Sequence, residues 1–421
     1  MDVLVVGGGG REHAICWALR KSPRVGRLYC APGNGGIAGI AECIDIGATD
    51  IENMVRFAKE NADFVMVAPD DPLALGMVDA MEAAGIRAFG PNKAAAKIES
   101  SKYHAKGIMK KYGIPTAAFE SFTEIEKAKA YIRDHGAPIV VKTDGLALGK
   151  GVIVAQDIDA ALGAVDAMMK EKKFGDSGNC VIIEEFMTGP EVTVLAFTDG
   201  KTIKPMLSSQ DHKRAYDGDQ GPNTGGMGAF CPSPIYTGDI AEICMDTIIR
   251  PTIDAMNAEG APFKGVLYFG LMLTPQGPRV VEYNARFGDP EAQPILTMLK
   301  TDILDIFEAV VDGRLDEIDI EWHDGYACCV VMASGGYPGS YQKGFRIDGL
   351  EDVPDGVTVF HAGTALSGQT PQTHQTFVTN GGRVLGVTAT GDTLEQAARR
   401  AYDGVGRIDF MGKQYRTDIG I

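Results

Sequence analysis

The residue types best suited to chemistry lie close together in residues 280–291, VVEYNARFGDPE. The apolar, β-branched start followed by alternation predicts a strand, in which residues two apart project from one face. Glu282, Asn284 and Arg286 therefore share a face. A carboxylate and an amide oxygen suit Mg²⁺, and an arginine suits phosphoryl oxygens. The stretch predicts a meeting point of metal and phosphate; the simpler interpretation is a strand with one solvated polar face.

A glycine-rich stretch at 138–152, PIVVKTDGLALGKGV, predicts a hairpin that covers phosphate. One strand delivers Lys142, a glycine loop follows, and a second strand returns. Backbone N–H groups and lysines of such a loop can donate to a triphosphate. It is not a Walker A motif, because Lys150 is followed by strand residues rather than by Ser or Thr opening a helix. The alternative is a flexible hairpin without a ligand.

Two further stretches carry weaker signals. A strand at 181–186 ends in Glu184, Glu185 and Phe186 and leads to Glu191; it can frame adenine and ribose, or simply end in solvated acids. Residues 208–229 predict one long loop, a length typical of functional segments. In that loop Asp211 suits an ammonium group, whereas its lysine and arginine suit an anion. No Ser-His-Asp or Cys-His motif is recognisable, so a protein nucleophile is not favoured.

The N-terminal glycine run, Gly7 to Gly10, stands between a predicted strand and a predicted helix. It fails as a dinucleotide fingerprint, because the third glycine position holds Glu12 or His13 and no acid ends the second strand. Backbone N–H groups at a helix N-terminus, with Arg11, favour an anion such as a sugar phosphate. A tight turn without a ligand is the alternative.

Several domains must position these residues, since 421 residues exceed one compact domain. Alternating strands and helices predict a parallel α/β domain over 1–101. A small α+β module is predicted at 121–190, inserted in a central domain of 102–120 and 191–325, and a final small α+β domain at 326–421. One helix is predicted over Lys93–Tyr112.

The composition and net charge of the chain limit the kinds of binding partner that are expected. The net charge of −16 and pI near 4.9 argue against nucleic acid or an anionic membrane as partner, although phosphorylated ligands need only local cations. No secretory signal and no transmembrane segment is predicted. The eight cysteines show no CxxC, which favours free thiols in a reducing cytoplasm.

Together and in this order the motifs resemble the ATP-grasp ligases and, more closely, the phosphoribosylamine–glycine ligase family. The resemblance spans the chain and rests on GGGGREHA, APGNGG, KTDGLALGKG, SQDHKR, GPNTGGMGAF, EYNARFGDPE, SGGYPG and TNGGRVL. It implies an ATP-grasp fold with an N-terminal parallel α/β (pre-ATP-grasp) domain, a small flap, and a small C-terminal α+β domain.

The resemblance also implies an activity. ATP, glycine and 5-phosphoribosylamine would give glycinamide ribonucleotide, ADP and phosphate through glycyl phosphate, the second step of de novo purine (IMP) biosynthesis. The implied cofactor is Mg²⁺ or Mn²⁺, with ATP as co-substrate. A cytoplasmic monomer or weak dimer is expected, without nucleic acid or membrane partners.

Roles carried over from the family form three groups. The ATP-binding residues would be Lys102, Lys142, Gly145, Gly149, Lys150, Gly151, Glu184, Glu185, Phe186 and Glu191. The metal would take Glu282 and Asn284, and the catalytic residues would be Arg286 on the transferring phosphoryl group with Asp211 and Lys213 on glycine. The remaining substrate-binding residues would be Gly9, Gly10, Arg11, Asp70, Asn223, Thr224, Gly226, Met227 and Gly228.

The chain departs from the family pattern at two positions. Many ATP-grasp enzymes carry a metal-binding acid twelve residues before Glu282, where this chain has Gly270, so Glu282 is expected to bridge two ions. The usual Gly-Pro-Glu reads Ala68-Pro69-Asp70, which puts the reach of this carboxylate to the ribosylamine in doubt. The competing hypotheses are an ATP-grasp carboxylase, an NAD-dependent oxidoreductase and a non-catalytic nucleotide-binding protein.

Overall fold

The N-terminal unit is a parallel sheet flanked by helices. A computed structural model describes residues 1–146, 151–368 and 376–421. The first elements are β1 Val3–Gly7, α1 Gly10–Arg20, β2 Leu28–Pro32, β3 Glu42–Cys43, α2 Ile51–Asn61, β4 Phe64–Val67, α3 Asp70–Leu75, α4 Met77–Ala83 and β5 Arg87–Phe89. The strand order is β3-β2-β1-β4-β5, all parallel. Helices cover both faces, so β1 and β4 are apolar and fully buried.

Two helices, α5 Lys93–Ser100 and α6 Lys102–Tyr112, lead out of this unit. The prediction of one continuous helix here is wrong. Ser101 adopts an extended conformation (φ −138°, ψ 106°), and its hydroxyl accepts a hydrogen bond from the His104 N–H. A serine that caps the second helix in this way competes with helix continuation. The break makes Lys102 the first residue of α6.

The flap is a four-stranded antiparallel sheet with two helices on one side. Its elements are β6 Phe119–Phe122, α7 Ile125–His135, β7 Ile139–Thr143, β8 Val152–Ala155, α8 Ile158–Val165 and β9 Val181–Glu185. The order β6-β9-β7-β8 places β7 beside β9, with Val140 opposite Glu184. Opposite residues of an antiparallel pair share a face, so Lys142 and Glu184 project from the same side.

The central unit carries the predicted polar strand. Its elements are β10 Glu191–Thr198, β11 Ile203–Pro205, β12 Gln210–Asp211, β13 Arg214–Tyr216, β14 Gln220–Asn223, β15 Gly228–Cys231, α9 Gly238–Cys244, α10 Arg250–Ala258, β16 Gly265–Thr274, β17 Gly277–Asn284, α11 Ala292–Thr297 and α12 Ile303–Asp312. The main sheet runs β11-β10-β16-β17. The long loop predicted over 208–229 is therefore wrong, because this segment contains four short strands.

The C-terminal unit extends a sheet that begins in the central unit. Its elements are β18 Tyr326–Ser334, β19 Val357–His361, β20 Thr364–Ser367, β21 Thr376–Thr379, β22 Arg383–Gly391, α13 Leu394–Val405 and β23 Lys413–Gln414. The sheet order is β12-β15-β18-β22-β19, and β23 also pairs with β18. The strands that carry Asp211 and the glycine-rich loop thus belong to the same sheet as β18 and β22.

Short 3-10 or π-helical turns complete the secondary structure; they lie at 37–39, 166–170, 175–179, 245–249, 315–317 and 350–352. Within the described ranges, no helix combines the length and the apolar character needed to cross a bilayer.

Candidate active site

A cleft of about 900 Å³ lies where the flap, the central sheet, helices α5 and α6 and the C-terminal unit meet. That volume is ample for a nucleotide and a small acceptor. Many of the residues singled out from the sequence line it: Arg11, Asp70, Lys102, Lys142, Gly151, Glu184, Glu185, Phe186, Glu191, Asp211, Lys213, Asn223, Thr224, Glu282, Asn284 and Arg286. The structure therefore brings together residues that lie up to 275 positions apart, as Arg11 and Arg286 do.

The polar row of β17 forms one wall of the cleft. Burial raises the pKa of Glu282, but Lys213, Lys142, Lys102 and Arg286 outweigh burial and lower it to about 2. Glu282 is consequently ionised at neutral pH. The Oδ1 atom of Asn284 accepts a hydrogen bond of 3.1 Å from the Arg286 guanidinium. An ionised carboxylate and an amide oxygen on one strand face fit a hard divalent cation.

Gly270 lies directly opposite Glu282 in the β16–β17 pair and offers no ligand. A Cβ at residue 270 would come 3.1 Å from the Glu282 side chain, so the glycine also leaves room for this carboxylate. Among the described residues no group of three or more His, Cys, Asp or Glu side chains is arranged for metal binding. A cation bound here would complete its shell with phosphate and water, as Mg²⁺ usually does.

The terminal nitrogens of Arg286 are hydrogen-bonded, whereas its Nε is not. Its guanidinium makes an ion pair of 2.9 Å with Glu99 and donates to the Phe287 carbonyl at 3.2 Å. Its Nε is buried and has no hydrogen-bond partner in the described part of the chain. Burial disfavours the charge, yet Glu99 and Asp70 keep the pKa of Arg286 above its ordinary value. A buried donor without a partner is costly, so the guanidinium retains hydrogen-bonding capacity that the described residues do not use.

The flap and helix α6 together form a buried lysine–glutamate–lysine cluster. The Glu184 carboxylate lies 2.9 Å from Lys142 Nζ and 3.2 Å from Lys106 Nζ. Lys142 also donates to the Val281 carbonyl, and Lys106 to the Thr116 hydroxyl. Burial lowers the pKa of Lys106 to about 8. Because the Glu184 carboxylate faces both lysines, the main chain of this strand and the exposed Phe186 ring are the groups that suit a base.

Lys213 lies between two carboxylates at the entrance of the β17 row. Its Nζ is 3.0 Å from Glu191 Oε2 and 3.5 Å from Glu282 Oε1. Burial lowers the pKa of Lys213, but Glu191 and Glu282 reverse this effect and raise it well above its ordinary value. The Lys213 ammonium thus lies between Glu191, which is predicted to bind ribose, and Glu282, which is predicted to bind metal.

Asp211 is the most isolated acid of the cleft. Its Oδ1 is buried without a hydrogen-bond partner in the described ranges. Burial and the neighbouring Glu291 raise its pKa well above the usual range. Gly226 passes close by with φ +109°, and a Cβ there would lie 2.6 Å from Asp211 Oδ1. A buried carboxyl oxygen that lacks a hydrogen-bond partner among the described residues suits a small ammonium ligand.

The glycine-rich loop divides into two parts. Asn223 and Thr224 line the cleft, whereas Gly226, Met227 and Gly228 do not. The Met227 side chain is fully buried, and Gly228 pairs with Val330 of β18. These three residues shape the loop instead of facing the cavity.

Two residues of the C-terminal unit fasten this loop. The Arg383 guanidinium pairs with Asp289 at 3.0 Å and donates to the carbonyls of Asp289 and Gly225. The Tyr337 hydroxyl accepts a hydrogen bond from the Gly225 N–H at 3.0 Å. Both belong to quoted motifs, TNGGRVL and SGGYPG, yet their contact with the cleft depends on long-range packing that motif spacing does not reveal.

In the N-terminal glycine run, the Gly9 N–H is hydrogen-bonded to a side chain of the protein itself. The Glu12 carboxylate accepts the Gly9 N–H at 2.5 Å and pairs with Arg11 Nε at 2.6 Å. Gly9 and Gly10 do not line the cleft, so Arg11 alone of this group reaches it. The anion cradle expected from free N–H groups here is therefore closed by Glu12.

Of the three hairpin residues Gly145, Gly149 and Lys150, which were predicted to bind phosphate, the structure describes Gly145. The Gly145 carbonyl accepts a hydrogen bond from Lys102 Nζ at 2.7 Å, although Gly145 itself does not line the cleft. Gly149 and Lys150 lie outside the described residues.

The fold and the cleft define a protein of the ATP-grasp class. Family models of phosphoribosylglycinamide synthetase match the N domain at 1–99, the ATP-grasp (A) domain at 100–292 and the C domain at 327–421. The chain belongs to the phosphoribosylglycinamide synthetase family. The predicted fold class and family resemblance are confirmed, and the NAD-dependent and non-catalytic hypotheses fall away.

Similar proteins carry consistent names. Phosphoribosylamine–glycine ligase of Brucella melitensis is 50% identical over 100% of this chain and 97% of its own length. The ligase of Caldanaerobacter subterraneus is 48% identical, over 100% and 99%. A crystal structure of phosphoribosylamine–glycine ligase from Thermotoga maritima superposes with TM-score 0.86 at 33% identity, covering 99% of this chain and 100% of that one. Biotin carboxylase of Campylobacter jejuni (TM-score 0.76, 14% identity, 98% and 92% covered) shares the fold alone.

Proposed function

We propose that this chain joins glycine to 5-phosphoribosylamine with ATP, giving glycinamide ribonucleotide, ADP and phosphate. The observation that carries the proposal, beside family membership, is the convergence of Lys102, Lys142, Glu282 and Arg286 on one cleft with an unpaired acid, Asp211, at its far end. The cations suit a triphosphate, and the acid suits the ammonium of an amino acid. The step belongs to purine biosynthesis.

The nucleotide would lie between the flap and the central sheet. Lys102 and Lys142 would hold its phosphates, Glu191 its ribose, and the main chain of residues 184–186 its base. The lysines are prearranged: Lys102 by Gly145 and Lys142 by Glu184 and Val281. Such fixed donors stabilise phosphoryl charge without reorganisation at the moment of reaction.

Glu282 and Asn284 would hold Mg²⁺ or Mn²⁺. A bound cation offsets charge on the phosphates. The protein's own contribution is an ionised carboxylate, since the pKa of Glu282 lies near 2, and an amide oxygen already oriented by Arg286. With Gly270 across the ladder, Glu282 is the carboxylate that would serve more than one ion.

A glycine carboxylate is a poor acylating agent, because its leaving group would be oxide, so it must first be phosphorylated. A glycine carboxylate attacks the γ-phosphorus of ATP, the bond to ADP breaks, and glycyl phosphate forms. The amine nitrogen of phosphoribosylamine then attacks the carbonyl carbon, phosphate leaves, and the nitrogen loses a proton. The Arg286 guanidinium would donate to the transferring phosphoryl group. Positioning and charge neutralisation accomplish this without a protein nucleophile.

Glycine would bind with its ammonium against Asp211, near Lys213 and the loop residues Asn223 and Thr224. The ribosylamine phosphate would approach Arg11, and Asp70 would face the sugar. Gly226 would act indirectly, because a Cβ at this position would press on Asp211 Oδ1. The division of the chain at 101/102, 120/121, 190/191 and 325/326, the monomer or weak dimer and the cytoplasmic location also stay predictions.

The decisive experiment follows ADP release in a coupled assay with glycine and phosphoribosylamine supplied singly and together. We expect release only with both. Release that is indifferent to glycine, or that bicarbonate elicits in its place, would overturn the proposal; the bicarbonate arm also distinguishes an ATP-grasp carboxylase.

A further inference from the structure

We propose that Glu99 is a positioning residue for phosphoryl transfer, acting through Arg286. The inference rests on the proposed function of the cleft. Glu99 lies in the last turn of α5, outside every motif that marks the site in the sequence. Its two carboxylate oxygens hold two consecutive residues of the reactive segment at once.

The first contact is to the backbone. Glu99 Oε2 accepts a hydrogen bond of 2.7 Å from the Ala285 N–H, directly after the last residue of β17. Strand pairing with β16 covers residues up to Asn284, so Ala285 lies beyond the ladder. The carboxylate therefore anchors the chain where the sheet no longer does.

The second contact is to the side chain. Glu99 Oε1 lies 2.9 Å from the Arg286 guanidinium, and Asn284 Oδ1 and the Phe287 carbonyl receive further bonds from the same group. These partners occupy the terminal nitrogens and leave Nε, which is buried, without one. Glu99 thus helps to fix the orientation of the Arg286 guanidinium at the wall of the cleft.

Burial separates this pair from an ordinary surface ion pair. The side chains of Glu99 and Arg286 are 6% and 18% exposed. A buried carboxylate so close to a phosphate site would repel the substrate unless a cation covers it, and Arg286 does so. The helix end that carries Glu99 also leads through Ser101 to Lys102, so one short segment fixes both a phosphate-binding lysine and the phosphoryl-transfer arginine.

The test is a double-mutant cycle on kcat with Glu99→Gln and Arg286→Ala, followed through glycine-dependent ADP release. Glutamine keeps the volume and can still accept the Ala285 N–H but loses the charge. We expect Glu99→Gln to lower kcat by about 10- to 100-fold, as small misplacements of reactive groups do, with KM for ATP and glycine within about threefold of wild type. In the Arg286→Ala background the same change should alter kcat by less than about threefold, because its route of action is already gone.

Two controls separate positioning from folding. Glu99→Asp keeps the charge and should regain part of the lost kcat. Glu308→Gln removes a similarly buried carboxylate, paired with Arg87 at 2.6 Å and with Arg24, away from the cleft, and should leave kcat unchanged. Thermal unfolding of each variant reports any loss of structure.

Equal losses of kcat from Glu99→Gln with and without Arg286 would overturn the inference, as would normal kcat in the single variant. If instead wild type shows no ADP release that depends on glycine and phosphoribosylamine together, the proposed function has failed, and the two failures are thereby distinguishable.

Discussion

Replacing Glu184 by Gln tests the buried cluster of the flap. The change leaves two ammonium groups, Lys106 and Lys142, facing each other without a carboxylate between them. The side chains of Glu184, Lys106 and Lys142 are only 3%, 3% and 7% exposed, so water screens them little. Breaking a buried pair by removing one partner costs roughly 3–5 kcal/mol. Because glutamine can still accept one hydrogen bond, we expect a loss of about 3 kcal/mol in the free energy of unfolding at pH 6.

The loss should shrink as the pH rises towards 8. In wild type the folded-state pKa of Lys106 is about 8, below its ordinary 10.5, because the group is buried. Without Glu184 that pKa falls further. Between the new, lower pKa and pH 8 the unfolded variant binds more protons than the folded one, so its stability rises with pH. Wild type gains nothing over the same interval, and the gap between the two closes.

Urea unfolding followed by circular dichroism, under reducing conditions at pH 6 and pH 8, measures both effects. The matched control is Glu185→Gln: the neighbouring carboxylate pairs with Arg279 but is 43% exposed, so its loss should stay within about 1 kcal/mol. Adding Lys106→Met to Glu184→Gln should recover most of the stability. A Glu184→Gln protein as stable as wild type, or a double variant no better than the single one, would refute the reasoning.

Three further changes address catalysis. Arg286→Ala should fold and lower kcat about 10²–10³-fold, the usual effect of losing one transition-state donor, and near-normal turnover in the ADP assay would contradict its role. Glu282→Gln should raise the Mg²⁺ concentration for half-maximal activity at least about tenfold, since one hard ligand remains; an unchanged Mg²⁺ titration argues against the metal assignment. Gly226→Ala, with φ +109° and a Cβ 2.6 Å from Asp211 Oδ1, should raise KM for glycine about tenfold or more while ATP binding persists, and an unaltered glycine KM would remove Asp211 from the glycine site.

The parts of the cleft that sequence reasoning reached are those with local periodicity. Glu282, Asn284 and Arg286 needed only the two-residue repeat of a strand, and Lys142 only a strand before a glycine loop. The parallel N-terminal sheet likewise followed from alternating apolar segments. In each case the signal lies within about ten residues, where backbone geometry alone decides which side chains share a face.

What sequence reasoning missed depends on contacts across long separations. Lys106 and Glu99 look like ordinary charged residues of a helix until the flap and β17 close over them. Arg383 reaches Asp289 only because β22 joins the sheet of the glycine loop. The break at Ser101 was hidden because good helix formers flank Ser100 and Ser101 on both sides, and only the capping hydroxyl of Ser101 shows where the second helix begins. The hydrogen bond from the Gly9 N–H to Glu12, three residues on, was likewise not foreseen, and the role of Gly9 stays a prediction.

The sheet that runs β12-β15-β18-β22-β19 determines which parts of the chain can be removed without exposing a strand edge. The chain enters and leaves the flap at neighbouring points, since the Glu185 N–H donates to the Ala118 carbonyl, and the described strands of the flap form a sheet of their own, β6-β9-β7-β8. The C-terminal segment, by contrast, shares a sheet with the central unit. A chain shortened before Tyr326 would leave one edge of β15 unpaired. The strands that carry the residues proposed to bind glycine would lose their support, and the exposed edge would promote aggregation.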